Sequence, residues 1–156
     1  MLRKRESGFT LIEMMVVIVV LVIVAAIAIP NFMSLQPGMR LSGAARQVMG
    51  DLMAARMKAV KLNQRTKVFF DSSSQYRICD DADKDATVAD GEGDVKTRNI
   101  QTNYQDVSFD LDNTTDPVFY PRGTATNRTI TLTQTSGGST NTKSITISIA
   151  GRVKIN

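Results

Sequence analysis

Near the start of the chain stands Arg3-Lys4-Arg5-Glu6-Ser7-Gly8-Phe9-Thr10-Leu11-Ile12-Glu13, and an apolar segment follows it as far as Pro30. Residues 14–29 contain no charged or strongly polar side chain. An α-helix rises about 1.5 Å per residue, so about 20 apolar residues cross a hydrocarbon core about 30 Å thick. We therefore predict that residues 9–29 form a membrane-spanning helix.

The orientation of this span follows from the basic residues that precede it. Lys and Arg are enriched on the cytoplasmic side of membrane helices, so we expect a cytoplasmic N-terminus and the residues after Pro30 outside the cytoplasm. A cleaved secretory signal peptide is the alternative, because Ala26-Ile27-Ala28 has the small-residue spacing of a signal peptidase site. The mature chain would then begin at Ile29 and would be a soluble periplasmic binding domain.

Glu13 is the one charged residue in the predicted span, residues 9–29. A charged side chain near the centre of a membrane helix costs about 2.5–3.5 kcal/mol on insertion scales, so such a residue usually has a partner. Near the end of a span, a carboxylate can also reach the headgroup region by snorkelling. Glu13 is therefore a candidate either for an ion pair between subunits or for an interfacial position.

The run Gly8-Phe9-Thr10-Leu11-Ile12-Glu13, with the apolar segment and Pro30, resembles the N-terminus of type IV pilins and type II secretion pseudopilins. The resemblance implies that residues 1–8 are a leader, that a prepilin peptidase cuts between Gly8 and Phe9, and that Phe9 is N-methylated. It also implies that Glu13 pairs with the amino group of a neighbouring subunit. The implied partners are other pilin or pseudopilin subunits, the peptidase and an inner-membrane assembly platform.

The composition argues against an enzyme. The chain has no His and one cysteine, Cys79, so it lacks the residues for Ser-His-Asp and Cys-His mechanisms and for the common zinc sites. No nucleotide-binding loop is present. A single cysteine also excludes a disulfide within the chain, whereas many major pilins carry a C-terminal cysteine pair.

Residues 30–63 are predicted to continue the helix in an amphipathic form. We expect a kink at Pro30 and a break or bend at Pro37-Gly38, because proline removes a backbone hydrogen bond, with the helix resuming near Met39. Apolar residues then recur at intervals of three and four and predict one stripe that packs on a sheet. The stripe comprises Leu41, Ala45, Val48, Leu52, Ala55, Ala59 and Leu62.

Residues 64–156 are predicted to form a β-rich globular domain. Short runs of β-branched and aromatic residues predict strands, and clusters of Asp, Ser and Gly such as Ser136-Gly137-Gly138-Ser139 predict turns. The predicted strands are 66–70, 75–79, 106–110, 117–120, 129–133, 144–149 and 152–155. The result is an α+β pilin fold, with a long N-terminal helix packed on an antiparallel sheet. The predicted core includes Val48, Leu52, Val68, Phe70, Phe109, Phe119, Leu132, Ile147 and Ile149.

The C-terminal half resembles a narrower group within the pilins. Residues 119–126, with their Pro-x-Gly-Thr sequence, and residues 147–155, with Gly151-Arg152-Val153, are similar to the minor pseudopilin H group and related minor pilins. The resemblance implies a minor subunit that helps assemble the periplasmic filament for type II protein secretion. A minor type IV pilin that primes pilus assembly is the alternative.

Some relatives in DNA-uptake pili bind DNA through a C-terminal Gly-Arg-x-Arg element. The matching residues here are Gly151-Arg152-Val153-Lys154, so Arg152 and Lys154 are candidate phosphate contacts. The acidic composition of residues 71–116 argues against a broad basic footprint, so nucleic acid is the less favoured partner.

The acidic segment 80–92 predicts a calcium site. Counted from Asp81, acids fall at positions 1, 3 and 5 (Asp81, Asp83 and Asp85) and at position 12 (Glu92), which is the ligand spacing of an EF-hand loop. Position 6 is Ala86, where that loop uses glycine for a sharp turn, and helical flanks are not apparent. A hydrated acidic loop without an ion is the alternative, and no other cofactor is predicted.

Overall fold

The computed structural model describes residues 8–136 and 138–156. They divide into two compact units, with the boundary between Gln36 and Pro37, and each unit is described by itself. One helix, α1, spans Leu11–Leu62 and contributes to both. Thr10 precedes it as the N-cap residue, because its Oγ1 accepts a hydrogen bond from the backbone N–H of Glu13 at 3.2 Å.

The N-terminal unit is an apolar helix that buries almost nothing of itself. From Leu11 to Leu35 its large apolar side chains are between 47 and 79% exposed. A helix that is apolar on all sides needs lipid or other protein around it. Within the described residues, α1 is the one helix long and apolar enough to cross a membrane by length and composition.

Of the break or bend predicted at Pro37-Gly38, the break is wrong, because both residues are helical, and the bend stays a prediction. Pro30 also lies within α1. A proline inside a helix removes one backbone donor at a cost of about 3 kcal/mol, but the hydrogen bonds of the turns before and after it remain. At Pro37 the next turn begins the buried stripe with Leu41, and the packing gained there offsets the cost of the proline.

The C-terminal unit combines the end of α1 with two four-stranded sheets. The strands are β1 Thr66–Phe70, β2 Gln75–Asp80, β3 Lys96–Asn99, β4 Val107–Phe109, β5 Val118–Phe119, β6 Arg128–Ser136, β7 Ser139–Ile147 and β8 Val153–Ile155, and a short 3-10 helix spans Ile100–Thr102. The strand orders are β3-β2-β1-β5 and β4-β6-β7-β8. Every strand pair is antiparallel, which confirms the predicted α+β class.

The predicted apolar stripe of the helix is buried, with Leu62 as the exception. Its members share one core cluster with the inner faces of both sheets. Alanines on the stripe are small enough for strand side chains to pack against the helix closely. The buried residues of α1 are Leu41, Ala44, Ala45, Val48, Leu52, Ala55 and Ala59, and those of the strands include Val68, Tyr76, Ile78, Phe109, Phe119, Ile130, Leu132, Ile145 and Ile147.

The structure corrects two predicted core residues and adds one strand. Ile149 is 70% exposed, because β7 ends at Ile147 and the alternation of inner and outer residues stops there. Phe70 is half-buried at the edge of the core. Strand β3 was not predicted, since its four side chains are all exposed and polar. Gly137, which belongs to a predicted turn, lies outside the described residues. The side chain of Cys79 is a buried free thiol.

Candidate functional site

The predicted processing site lies immediately before α1. Gly8 and Phe9 are exposed and non-helical, and α1 begins two residues after Phe9. Residues 1–7 of the predicted leader lie outside the described residues. The bond between Gly8 and Phe9 is therefore in an accessible backbone segment, as a peptidase substrate requires.

Glu13 occupies the first turn of α1, three residues after the cap Thr10. This spacing is that of a capping box, in which a Glu or Gln at the third helical position complements the N-cap residue. The carboxylate also interacts favourably with the partial positive charge of the helix N-terminus. Glu13 is exposed, and it forms no salt bridge within the described part of the chain.

Two turns of the C-terminal unit meet at α1 and form what we call the glycine corner, made of Arg56, Gly123 and Gly151. Both glycines have positive φ, +79° and +73°, which other residues rarely adopt. A Cβ atom on Gly151 would overlap the carbonyl oxygen of Gly123 and would lie 2.7 Å from Nε of Arg56. Nε of Arg56 donates to that same carbonyl oxygen at 2.8 Å. The two glycine-containing motifs are thus one structural feature.

The acidic loop, residues 81–93, is closed at its base by Lys58 of α1. Nζ of Lys58 donates to Oδ1 of Asp80 at 2.8 Å and to Oδ2 of Asp94 at 3.2 Å. Burial lowers the pKa of Lys58, but its hydrogen bonds to Asp80 and Asp94 and their charges raise it more, so the net shift is upward. Asp80 is buried and paired, so the start of the loop is fixed.

Within the loop, three of the four predicted calcium ligands come together. One oxygen from each of Asp81, Asp83 and Asp85 lies within 4.8 Å of the other two. The hydrogen bond from the Asp85 amide lowers the pKa of Asp83, but desolvation and the nearby carboxylates outweigh it and raise the pKa. The three carboxylates therefore create a local field that attracts cations.

The structure places the fourth predicted ligand, Glu92, outside this group of three. Oε1 of Glu92 accepts from the amides of Ala82 and Asp83 at 2.7 and 3.3 Å, and Oε2 accepts from the amide of Ala89 at 2.8 Å. The amide of Ala89 is the main cause of the lowered pKa of Glu92. Glu92 thus holds the backbone of the loop in place instead of facing the other carboxylates.

The sharp turn that an EF-hand loop makes with glycine is made here by alanine. Ala86, at position 6, has φ of +76°. The guanidinium of Arg65 donates to its carbonyl oxygen and so supports this turn from outside the loop. The loop lies between the strands β2 and β3, whereas an EF-hand loop lies between two helices. The spacing of the acidic residues is therefore that of an EF-hand, but the flanking secondary structure is different.

The basic residues of the C-terminal motif are exposed. Lys154 lies on the outer side of β8, an edge strand, because its neighbour Val153 is buried, and the exposed Arg152 immediately precedes that strand. Lys154 pairs with Thr146 in the register of β7 and β8. Their accessibility is compatible with a phosphate contact, and DNA binding stays a prediction.

Two protein-family models match the chain, one at its N-terminus and one over the larger part that follows. The model for the prokaryotic N-terminal methylation motif matches residues 3–29, which include Gly8, Phe9 and Glu13. The model described as type II transport protein GspH matches residues 44–151, more than half of the chain. The chain belongs to the GspH family. The match includes the acidic loop and the whole glycine corner, while Arg152 and Lys154 lie beyond it.

Solved structures support the same fold for this GspH-family chain. Two crystal structures of the type IV minor pilin FimU from Pseudomonas aeruginosa strain PAO1 are similar to it, in space groups P21 and P65. Each is 18% identical and covers 74% of this chain, with TM-scores of 0.53 and 0.51 and coverage of 87 and 92% of FimU. No curated protein sequence matches the chain.

These findings establish the class of the protein. It has the pilin fold and is a minor pseudopilin or pilin subunit of a type IV filament system, so it assembles with other pilin subunits. The apolar helix and the methylation motif indicate a membrane-anchored pilin. The family and fold are those of structural subunits.

Sequence reasoning missed the residues of α1 that hold these features. Neither Arg56 nor Lys58 was singled out from the sequence, yet they hold the glycine corner and the base of the acidic loop. Asp51 is similar, because its Oδ2 accepts a hydrogen bond at 2.6 Å from the hydroxyl of Tyr76, whose pKa is raised mainly by burial. The available signal was their position, next to the buried stripe and not opposite to it.

Proposed function

We propose that this subunit works as a minor pseudopilin in a type II secretion system, where it helps assemble the periplasmic filament. The observation that supports this choice is the match of residues 44–151 to the family described as a type II transport protein. Within the C-terminal unit, the glycine corner and the buried helix stripe hold the end of α1 against the strands.

A minor type IV pilin that primes pilus assembly is the second candidate. The likeness to FimU supports it at the level of the fold, since that protein is described as a type IV minor pilin. Deletion of the gene in the source bacterium separates the two. Loss of exoprotein secretion with normal piliation supports the secretion role, and loss of pili with normal secretion supports the pilus role.

In either system, we propose that α1 anchors the subunit in the inner membrane before assembly, with the C-terminal unit in the periplasm. The basic residues of the leader support this orientation through the enrichment of Lys and Arg on the cytoplasmic side. The prepilin peptidase and the inner-membrane assembly platform are then the partners that the precursor meets first.

We predict that the mature subunit begins with N-methylated Phe9. The motif match over residues 3–29 and the exposed backbone at Gly8 support this cut. Mass spectrometry of the subunit purified from its source bacterium is expected to show the chain without residues 1–8 and with one added methyl group. A mature start at Ile29 would instead support a cleaved signal peptide, and an intact leader would contradict processing.

A second prediction separates the two roles that the structure allows for Glu13. Glutamine serves in a capping box as well as glutamate does, but it carries no charge. If Glu13 pairs with the amino group of a neighbouring subunit, Glu13→Gln is expected to insert normally and to be largely lost from sheared filaments on immunoblots. The matched control Glu13→Asp keeps the charge and should retain partial incorporation. Normal incorporation of Glu13→Gln would show that helix capping is sufficient.

A further inference from the structure

We propose that the acidic loop is a calcium site, with the carboxylates of Asp81, Asp83 and Asp85 as its ligands. The proposal does not depend on which filament system the subunit serves. It starts from the cluster in which one oxygen of each residue lies within 4.8 Å of the other two. Exposed acidic clusters are common on protein surfaces, so the cluster alone does not identify a site.

The observation that points to a cation is the state of Asp81. This residue is 3% exposed, and its Oδ1 is buried without a hydrogen-bond partner among the described residues. Within residues 8–136 and 138–156, no salt bridge involves Asp81, Asp83 or Asp85. Buried charges in proteins are paired or coordinate metals, because an uncompensated carboxylate in the interior is costly.

The neighbouring residue provides a comparison within the same chain. Asp80 is also buried, and it is paired with Nζ of Lys58 at 2.8 Å and with the amide of Asp94 at 2.9 Å. Among the described residues, a Lys or Arg nitrogen therefore lies within 4.0 Å of one buried carboxylate and none lies that close to the next one. The carboxylate oxygens close to Asp81 are those of Asp83 and Asp85, so one ion bound by all three would compensate its charge.

The hard oxygen ligands and the loop geometry favour calcium over other cations. Calcium takes six to eight oxygens from carboxylates, backbone carbonyls and water in a flexible arrangement, whereas magnesium demands a tight octahedron and dehydrates reluctantly. Asp83 and Asp85 are exposed, so water can complete the shell. With three carboxylates, we expect affinity in the range of extracellular calcium modules, on the order of 10⁻⁴–10⁻³ M.

Glu92 acts as a positioning residue in this site. Its two oxygens hold the amides of Ala82, Asp83 and Ala89, so they fix the backbone that carries the ligands. We expect Glu92→Gln to weaken calcium binding less than Asp83→Asn does, because glutamine keeps one acceptor oxygen for these amides.

The test uses the full chain in detergent and calcium chloride as the probe. Equilibrium dialysis with radioactive calcium is expected to show one bound ion per chain. Asp83→Asn and Asp85→Asn, both at exposed positions, should each weaken binding on the order of tenfold or more, since ligand charge sets affinity in such loops. The matched control Asp112→Asn removes one exposed acid outside the loop and should leave binding unchanged.

Thermal melting followed by circular dichroism gives an independent measurement. Calcium should raise the melting temperature of the wild type relative to chelator, because a ligand that binds only the folded state stabilises it. Asp81→Asn should lose this response, and its melting temperature in chelator should equal or exceed that of the wild type, since the amide removes an unpaired buried charge. If this buried variant does not fold, the two exposed variants decide the question.

Three results would overturn the proposal. One is the absence of saturable binding at millimolar calcium. Another is binding that survives Asp83→Asn and Asp85→Asn unchanged. The last is an equal response to magnesium, which would indicate general screening of the acidic loop.

Discussion

Replacing Gly151 by alanine is expected to destabilise the C-terminal unit by about 2–5 kcal/mol. A left-handed backbone costs a residue with a Cβ roughly 1–2 kcal/mol, and overpacking of a tight contact typically adds 1–3 kcal/mol. At this position the added Cβ would overlap the carbonyl oxygen of Gly123 and crowd Nε of Arg56. Neither backbone nor helix can move away easily, because Arg56 is hydrogen-bonded to the same oxygen.

Gly138→Ala is the matched control for this substitution. Gly138 has a similar φ, +81°, but no atom of the described residues beyond its chain neighbours lies within 4 Å of the position that its Cβ would take. It should therefore show only the backbone cost of about 1–2 kcal/mol. Urea unfolding of the full chain in detergent, followed by the near-ultraviolet circular dichroism of tyrosine, measures both. All three tyrosines lie in the C-terminal unit, so the signal reports on that unit. If the two variants lost the same free energy of unfolding, the glycine corner would accommodate the added Cβ atom without steric strain.

Leu52→Ala is expected to lower the free energy of unfolding by about 2–5 kcal/mol. Leu52 is 1% exposed and lies in the core cluster that joins α1 to both sheets. Removing a buried leucine side chain loses its transfer free energy and leaves a cavity, and the sum falls in this range. Alanine is the best helix former, so the helix itself does not cause the loss.

Met57→Ala is the control on the same helix. Met57 is 72% exposed, so the change should stay within about 0.5 kcal/mol. The urea experiment described for Gly151 applies here too. If Leu52→Ala cost no more than Met57→Ala, the helix stripe would not be packed on the sheets in solution.

The helical part of the fold was largely predictable, because its signals are periodic. The apolar stripe appears in the sequence at intervals of three and four, and six of its seven members are buried as expected, from Leu41 to Ala59. The break at Pro37-Gly38 was predicted from a local rule and is wrong. The rule for proline gives only the free energy that the residue costs within a helix. Whether the helix continues depends also on the free energy that the following turns gain by packing.

The β-rich part was predictable in its elements and less so in their arrangement. Strand β1 matches the prediction residue for residue, since its alternation and its turn are both local. The division into two sheets depends on pairings between strands that are distant in sequence, such as Lys67 with Val118. Ile149 was predicted in the core because apolar and polar residues alternate up to it. The strand ends before Ile149, so the alternation no longer indicates which side chains are buried.

In the candidate sites too, features set by local spacing were predictable, whereas contacts between distant residues were not. The spacing of Asp81, Asp83 and Asp85 predicted a cluster that the folded loop does form. Glu92 was predicted as a calcium ligand from the same spacing. Its oxygens instead accept hydrogen bonds from backbone amides, which a sequence pattern does not reveal. In the sequence, the residues of the glycine corner appear only as two separate glycine-containing motifs, because the contact between them requires the fold.

The burial of Cys79 makes the chain convenient for mapping neighbours in a filament. A buried thiol is chemically inert, and Cys79 is the one cysteine in the sequence. A cysteine introduced at an exposed position such as Met57 or Ile149 would therefore be the only thiol that reacts with a maleimide dye or a bifunctional cross-linker. Pairs of such variants could report which faces of adjacent subunits approach each other, without first replacing the native cysteine.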